Sequence, residues 1–348
     1  MAHDFDCLAT GIGSLPLTDP GEAVALALRY LPEAPIWPQL PKRGYREHMG
    51  GQYAESLPGL VEDAAREGFS IDTSRDLTAD LERFFERYLA EDLDHFRISE
   101  SHAAGLYALL RALEKSPPDS ARFIKGHVTG PLTAGISFKD GQGRDIIHNE
   151  LIFDAVVKNL AMKAAWQIAL LGRFGRPVVI FIDEPAMETL GSAFSAAAPE
   201  LVAEKLEEII GAIHDHGGIA GIHCCGNADW PLIFNTRVDI VNFDAFGYLE
   251  RVLLFPAEIA VFLARGGALA WGIVPTTAFT GAETAEGLID RLEGGIARLV
   301  AAGIPRRTIL HQSIVTPSCG LGSLSPGQAE AILKLTLEIS ERMRRQLA

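Results

Sequence analysis

The chain has 348 residues, 48% hydrophobic and 22% charged, the makeup of a folded protein large enough for one barrel or two modest domains. Its formal net charge is -14 and no long Lys/Arg cluster occurs, which argues against nucleic acid and anionic membrane surfaces as partners. No apolar run reaches the roughly 18 residues of a membrane span, and residues 1–6 lack the basic and then apolar character of a secretion signal, so the expected location is cytoplasmic, with the four cysteines kept reduced.

In chain order, short apolar runs closed by Gly, Pro or polar residues alternate with helical periodicity, the signature of repeated βα units. Runs at 7–13 and 36–39 flank a helix at 21–31. Between the second and third runs, 42–122 reads as an insertion, with helices near 77–93 and 99–115. Its first part, K-R-G-Y-R-E-H-M-G-G-Q-Y, is suited to cover a barrel mouth. Runs at 123–128, 178–182, 219–223, 240–243, 268–272 and 309–312 follow, with helices at 149–171, 199–216, 256–265, 285–302 and 326–345. Ser325 before Pro326 is a good helix start. Eight runs predict an α/β fold, a (β/α)8 TIM barrel spanning 1–348 as a single domain, with the helical insertion between strands 2 and 3.

Reacting groups in such a barrel stand on the loops after the strands. There the chain carries Ser14 in G-I-G-S-L-P, Gln39, Thr129 and Thr133 in H-V-T-G-P-L-T, Asp183 and Glu184 in I-D-E-P-A, His223 and Cys225 in I-H-C-C-G-N, Asp244 in N-F-D-A, and Cys319 in T-P-S-C-G. In an extended segment His223 and Cys225 project to one side and Cys224 to the other. Cys319 reaches the same opening from another wall. An imidazole and two thiolates are ligands that zinc takes readily, with coordination space left for an incoming sulfur. Plainer readings exist at single positions. Buried cysteines are common core residues, a carboxylate at a strand-to-helix turn can cap the helix, and His127 and His311 read first as core or rim histidines.

The ordered set G-I-G-S-L-P, G-P-L-T, I-D-E-P-A, I-H-C-C-G-N, V-N-F-D-A and P-S-C-G-L resembles the catalytic C-terminal barrel of cobalamin-independent methionine synthase, here in a short single-barrel form, within the uroporphyrinogen decarboxylase-like superfamily. The resemblance implies a zinc ion on His223, Cys225 and Cys319, with Asp244 where the family has an acidic ligand, there a glutamate. It implies homocysteine bound through its thiol, with Asp183 on its amino group, Ser14 on its carboxylate and Glu184 beside them in the substrate site. Asp183 and Asp244 are the implied catalytic carboxylates, and the implied activity is methyl transfer to a thiol, giving methionine.

Family members that use a methylated folate carry a proton-donating histidine in the loop after strand seven, whereas G-I-V-P-T-T here has none. Cobalt leaves a methyl group without needing a proton, so the donor expected is methylcobalamin or another methylated corrinoid, brought by a corrinoid carrier protein. The alternatives are a methyltetrahydrofolate-type donor, a different thiol acceptor, a non-catalytic thiol- or corrinoid-binding protein, and a porphyrinogen decarboxylase, which needs an arginine-rich opening.

Overall fold

The computed structural model describes residues 4–116, 119–191 and 196–347. Among these the strands are β1 (Leu8–Ala9), β2 (Leu60–Asp63), β3 (Gly68–Ile71), β4 (Ile124–Thr129), β5 (Lys139–Asp140), β6 (Val178–Asp183), β7 (Ile219–Cys224), β8 (Ile240–Phe243), β9 (Ala268–Val274) and β10 (Ser313–Pro317). One sheet runs β1-β10-β9-β8-β7-β6-β4, with every pair parallel.

Residues 35–39 join its two edges. Lys125 N donates to Pro35 O at 2.8 Å on the β4 side, and Gln39 N donates to Gly13 O at 3.1 Å beyond β1. The sheet thus closes as a TIM barrel. This eighth stave is a pair of isolated bridges, Ile36 to Lys125 and Ser14 to Gln39, in place of the strand expected at 36–39. Pro35, Pro38 and Pro41 punctuate it, and a residue without an N–H cannot extend a ladder.

Alternation along the strands splits the core. Val179, Phe181, Ile219, Ile240, Ala268, Ala270 and Ile314 pack with Phe5 and Leu8 inside the barrel, while outward residues such as Ile180, Ile222 and Val241 join the layer under the helices. Nearer the strand ends the inward positions turn polar: Asp183, His223, Asn242 and Thr316 are all buried, and Lys125 is a buried cation near the start of β4. The outer helices Pro20–Tyr30, Glu150–Gly172, Pro199–Asp215, Pro256–Ala264, Ala285–Ala301 and Pro326–Arg344 follow the sequence periodicity closely. The last begins with a reciprocal Ser325–Gln328 capping box and Pro326.

One predicted strand is displaced. Residues 309–312 belong mostly to the helix Arg306–His311, and β10 starts at Ser313. Ile309 and Leu310 are buried from a helix, and an apolar run that short has no period to separate the two states. The shift seats T-P-S-C-G directly at a strand end.

Between the second and third staves, β2 and β3 form an antiparallel hairpin that β5 joins in parallel. The helix Thr78–Leu89 follows, and Ala104–Lys115 packs against Pro20–Tyr30 in the outer ring. No helix among the described residues is long and apolar enough to cross a membrane.

Candidate metal centre and substrate cavity

At the end of β7 the chain alternates as an extended strand should. Cys224 is buried outward, its Sγ 3.8 Å from Gly226 O, and His223 and Cys225 face the opening. Cys319 arrives two residues past β10. A ring nitrogen of His223 and the two sulfurs all lie within 4.8 Å of one another, the only such group among the described residues, and all four cysteines are free thiols.

His223 is 3% exposed, its Nδ1 bonded to Asn242 Oδ1 and its Nε2 without any partner. A buried nitrogen left unpaired is costly, and a cation on that side would satisfy it. One nitrogen and two sulfurs in a half-buried cup is a donor set that fits zinc.

The protonation pattern agrees. The Cys225 thiol is pushed down to about 4 by a hydrogen bond from Cys319, with His223 adding to the effect against burial. The same bond, with burial, raises Cys319. Burial pushes His223 down, but Cys225 and Asp183 outweigh it and the imidazole is raised. The two sulfurs share one proton beside the His223 ring, an arrangement that a divalent ion would replace.

These groups line a cavity of about 680 Å³ with Asp183, Ser14 and, from the insertion, Lys42, His48, Met49 and Gly50. The cover is pinned to the barrel: Thr129 Oγ1 donates to Met49 O at 2.7 Å, Tyr53 OH to His127 O at 2.9 Å, and Gln39 Nε2 to Gln52 Oε1 at 2.7 Å. Asp183 is 7% exposed and its Oδ1 has no partner. Burial raises its carboxyl to about 6, opposed by His223 and Lys125. Lys125 lies deeper in the barrel, donating to Ile12 O with Nζ 4.0 Å over the Phe181 ring. Ser14 Oγ accepts from Gly322 N at 3.1 Å. The loop after β10 closes on it at a glycine, since a Cβ on residue 320 would lie 2.2 Å from Ser14 Oγ and push the hydroxyl from this position.

Two candidates turn elsewhere. Glu184 is fully buried, accepting from Leu132 N at 2.8 Å, Thr133 N at 2.7 Å and the Thr133 hydroxyl. It holds the start of the helix Pro131–Ser137 and does not line the cavity. Asp244 stands outside the His–Cys–Cys group, its Oδ1 accepting from Phe246 N at 2.9 Å and Gly247 N at 2.6 Å to close the turn after β8. His127 is likewise buried away from the cavity, stacked on Trp37 with centroids 3.9 Å apart. Sequence reasoning passes over Asn242 and Lys125, although a polar residue inside an apolar strand is a signal in each case.

No protein-family model matches the chain, and no curated protein matches it. In three dimensions it is similar to a B12-independent methionine synthase from Shewanella sp. W3-18-1, in complex with selenomethionine, with a TM-score of 0.56 and 17% identity over 98% of this chain and 99% of that one. A methyltransferase from Methanosarcina mazei aligns with a TM-score of 0.49 and 14% identity over 93% of this chain and 86% of its own. The first likeness extends the barrel assignment over essentially the whole length.

Proposed function

We propose that this chain is a zinc-dependent methyltransferase that moves a methyl group to the sulfur of a small thiol, with homocysteine as acceptor and methionine as product. The observation that carries this is one imidazole nitrogen and two sulfurs within 4.8 Å of each other, on the wall of a cavity that also presents Asp183 and Ser14. Zinc bound there would hold the acceptor as its thiolate at neutral pH, where a free thiol with a pKa of about 8.5 is mostly protonated.

The chain's own groups hold the rest of the acceptor. The unpartnered Oδ1 of Asp183 suits an ammonium, which would favour the ionised carboxylate against burial. Because Gly322 N already donates to Ser14 Oγ, the Ser14 hydroxyl proton is left for a carboxylate. Glu184 acts one layer back, steadying the helix Pro131–Ser137, and Asp244 shapes its own turn beside the ligands. The sulfur meets the methyl carbon in line. The S–C bond forms as the carbon–donor bond breaks, its electron pair leaves with the donor, the nitrogen of a folate-type donor takes up the proton that the thiol releases, and alignment is the protein's contribution.

The solved neighbour supports the acceptor, being described in complex with selenomethionine, the selenium counterpart of the proposed product. It is also described as B12-independent, which weighs against a corrinoid donor and carrier protein despite the missing histidine in G-I-V-P-T-T. A porphyrinogen decarboxylase is disfavoured, because Lys42 is the one Lys or Arg on the cavity wall among the described residues.

Metal analysis followed by a methyl-transfer assay tests the proposal. About one zinc per chain is expected, with methionine formed from homocysteine and a methyltetrahydrofolate-type donor, and methylcobalamin as the second arm. Cys225→Ser and Cys319→Ser should lose zinc and turnover together. A purified protein without zinc that methylates no thiol from either donor would overturn the proposal.

A further inference from the structure

We infer that Asn242 is a positioning residue that holds His223 with its proton on Nδ1 and its Nε2 lone pair toward Cys225 and Cys319, and that Thr316 holds Asn242 in turn. The inference deepens the metal centre proposed above and rests on it for the ligand, but the bonding pattern behind it involves no metal.

Strand register sets Asn242 beside His223 on one side and Ala270 on the other. Both Asn242 and Thr316 are completely buried. The amide nitrogen of Asn242 donates to Ala270 O at 2.9 Å and to Thr316 Oγ1 at 2.8 Å. A backbone carbonyl can only accept, so the amide has one tenable orientation. The reverse flip would set two acceptors face to face in a dry interior. Oδ1 must therefore point at His223, and because it can only accept, His223 Nδ1 must carry a hydrogen. A neutral imidazole has a single N–H. Nε2 is thus left with its lone pair, and it is also the ring nitrogen that is buried without a partner.

A ligating histidine commonly gives its other N–H to a carboxylate, a backbone carbonyl or water. A side-chain amide does the same work without adding negative charge to a cup that already holds two sulfurs. The placement costs strand propensity, since Asn is depleted in strands, and no packing need for an amide is evident at that position.

Two readouts on the full chain test this. Multiple-bond 1H–15N NMR of the histidines, metal-free and zinc-loaded, reports which nitrogen of His223 is protonated. Competition with a chromophoric chelator reports zinc affinity. Wild type is expected to show Nδ1–H in both forms, with the Nε2 resonance moving on zinc addition. Asn242→Leu fills the volume without an acceptor and should weaken zinc binding by about 10- to 100-fold while releasing the second tautomer. Asn242→Asp keeps the acceptor at His223 and should retain Nδ1–H, while its second oxygen now faces Ala270 O and lowers Tm. Thr316→Val leaves His223 untouched, should loosen the amide to an intermediate degree, and keeps the test open if the Leu variant fails to fold. Wild-type affinity with Nδ1–H in Asn242→Leu, or a metal-free wild type protonated on Nε2 and not on Nδ1, would overturn the inference. Failure of wild type to bind zinc would instead remove the metal centre, and the tautomer of the metal-free protein would still decide the role of Asn242.

Discussion

Glu184→Ala strands two buried amides, Leu132 N and Thr133 N, that now lie 2.8 and 2.7 Å from its oxygens. The Thr133 hydroxyl loses its acceptor as well but can rotate to another. Each stranded amide costs about 1–3 kcal/mol, hence about 2–6 kcal/mol for the pair. Burial raises the Glu184 carboxyl from 4.5 to about 7, so at about pH 5 the folded group keeps its proton, deleting it relieves less than about 1 kcal/mol, and the net loss there is about 1–5 kcal/mol. For a chain of this length the unfolding entropy is about 0.7 kcal/mol/K, which translates to a fall in Tm of about 2–7 °C by calorimetry at that pH.

Glu184→Gln keeps one acceptor oxygen and should fall between the two. The pH dependence has a definite sign. With the folded carboxyl near 7 against 4.5 for an ordinary glutamate, the folded chain keeps a proton that the unfolded chain has released between those values. The stabilisation linked to that proton is full below 4.5 and is lost as pH rises through about 7. The Tm advantage of wild type over Glu184→Gln should therefore shrink across that window. A group touching substrate would give the opposite pattern, with turnover lost and Tm unmoved. A Tm for Glu184→Ala within about 1 °C of wild type would refute the capping role.

Holding an amino-acid thiol requires an ionised Asp183, whose carboxyl burial lifts to about 6. KM for homocysteine should rise as pH falls through that value, and Asp183→Asn should bind weakly at all pH; an acid limb surviving in that variant would reassign the titration. Lys125 lowers the Asp183 carboxyl from deeper in the barrel, so Lys125→Met should move the same limb to higher pH, and an unmoved midpoint in the pH–KM profile would rule that coupling out. Stripping the metal with a strong chelator should lower Tm and abolish turnover, with both restored by zinc, because an ion that binds only the folded cup stabilises it; a Tm indifferent to chelator and zinc would count against the centre.

Much of this was legible because alternation is a strict rule. β6, β7 and β8 read directly from their apolar runs, and H-x-C put both side chains on one face. Cys319 was reachable only through topology, since nothing local links it to His223. The rest was hidden by competition between local and distant partners. Asp183 and Glu184 are chain neighbours, yet in I-D-E-P-A one faces the cavity and the other the helix Pro131–Ser137. Asp244 spends Oδ1 on amides of its own turn, a local bond that residue type alone does not announce. Ala104–Lys115 has the same periodicity whether it belongs to an excursion or to the outer ring, and its packing against Pro20–Tyr30 tells which.

The stave at 35–39 touches its neighbours through single bridges, so the hoop is buttoned there, while elsewhere it is stitched. Amides in that seam should exchange with solvent ahead of those in β6 or β7. The seam carries Gln39 and adjoins Ser14, where the chain leaves the wall to build the cover, and it gives evolution a place to recut the lid without unpicking the other seven staves.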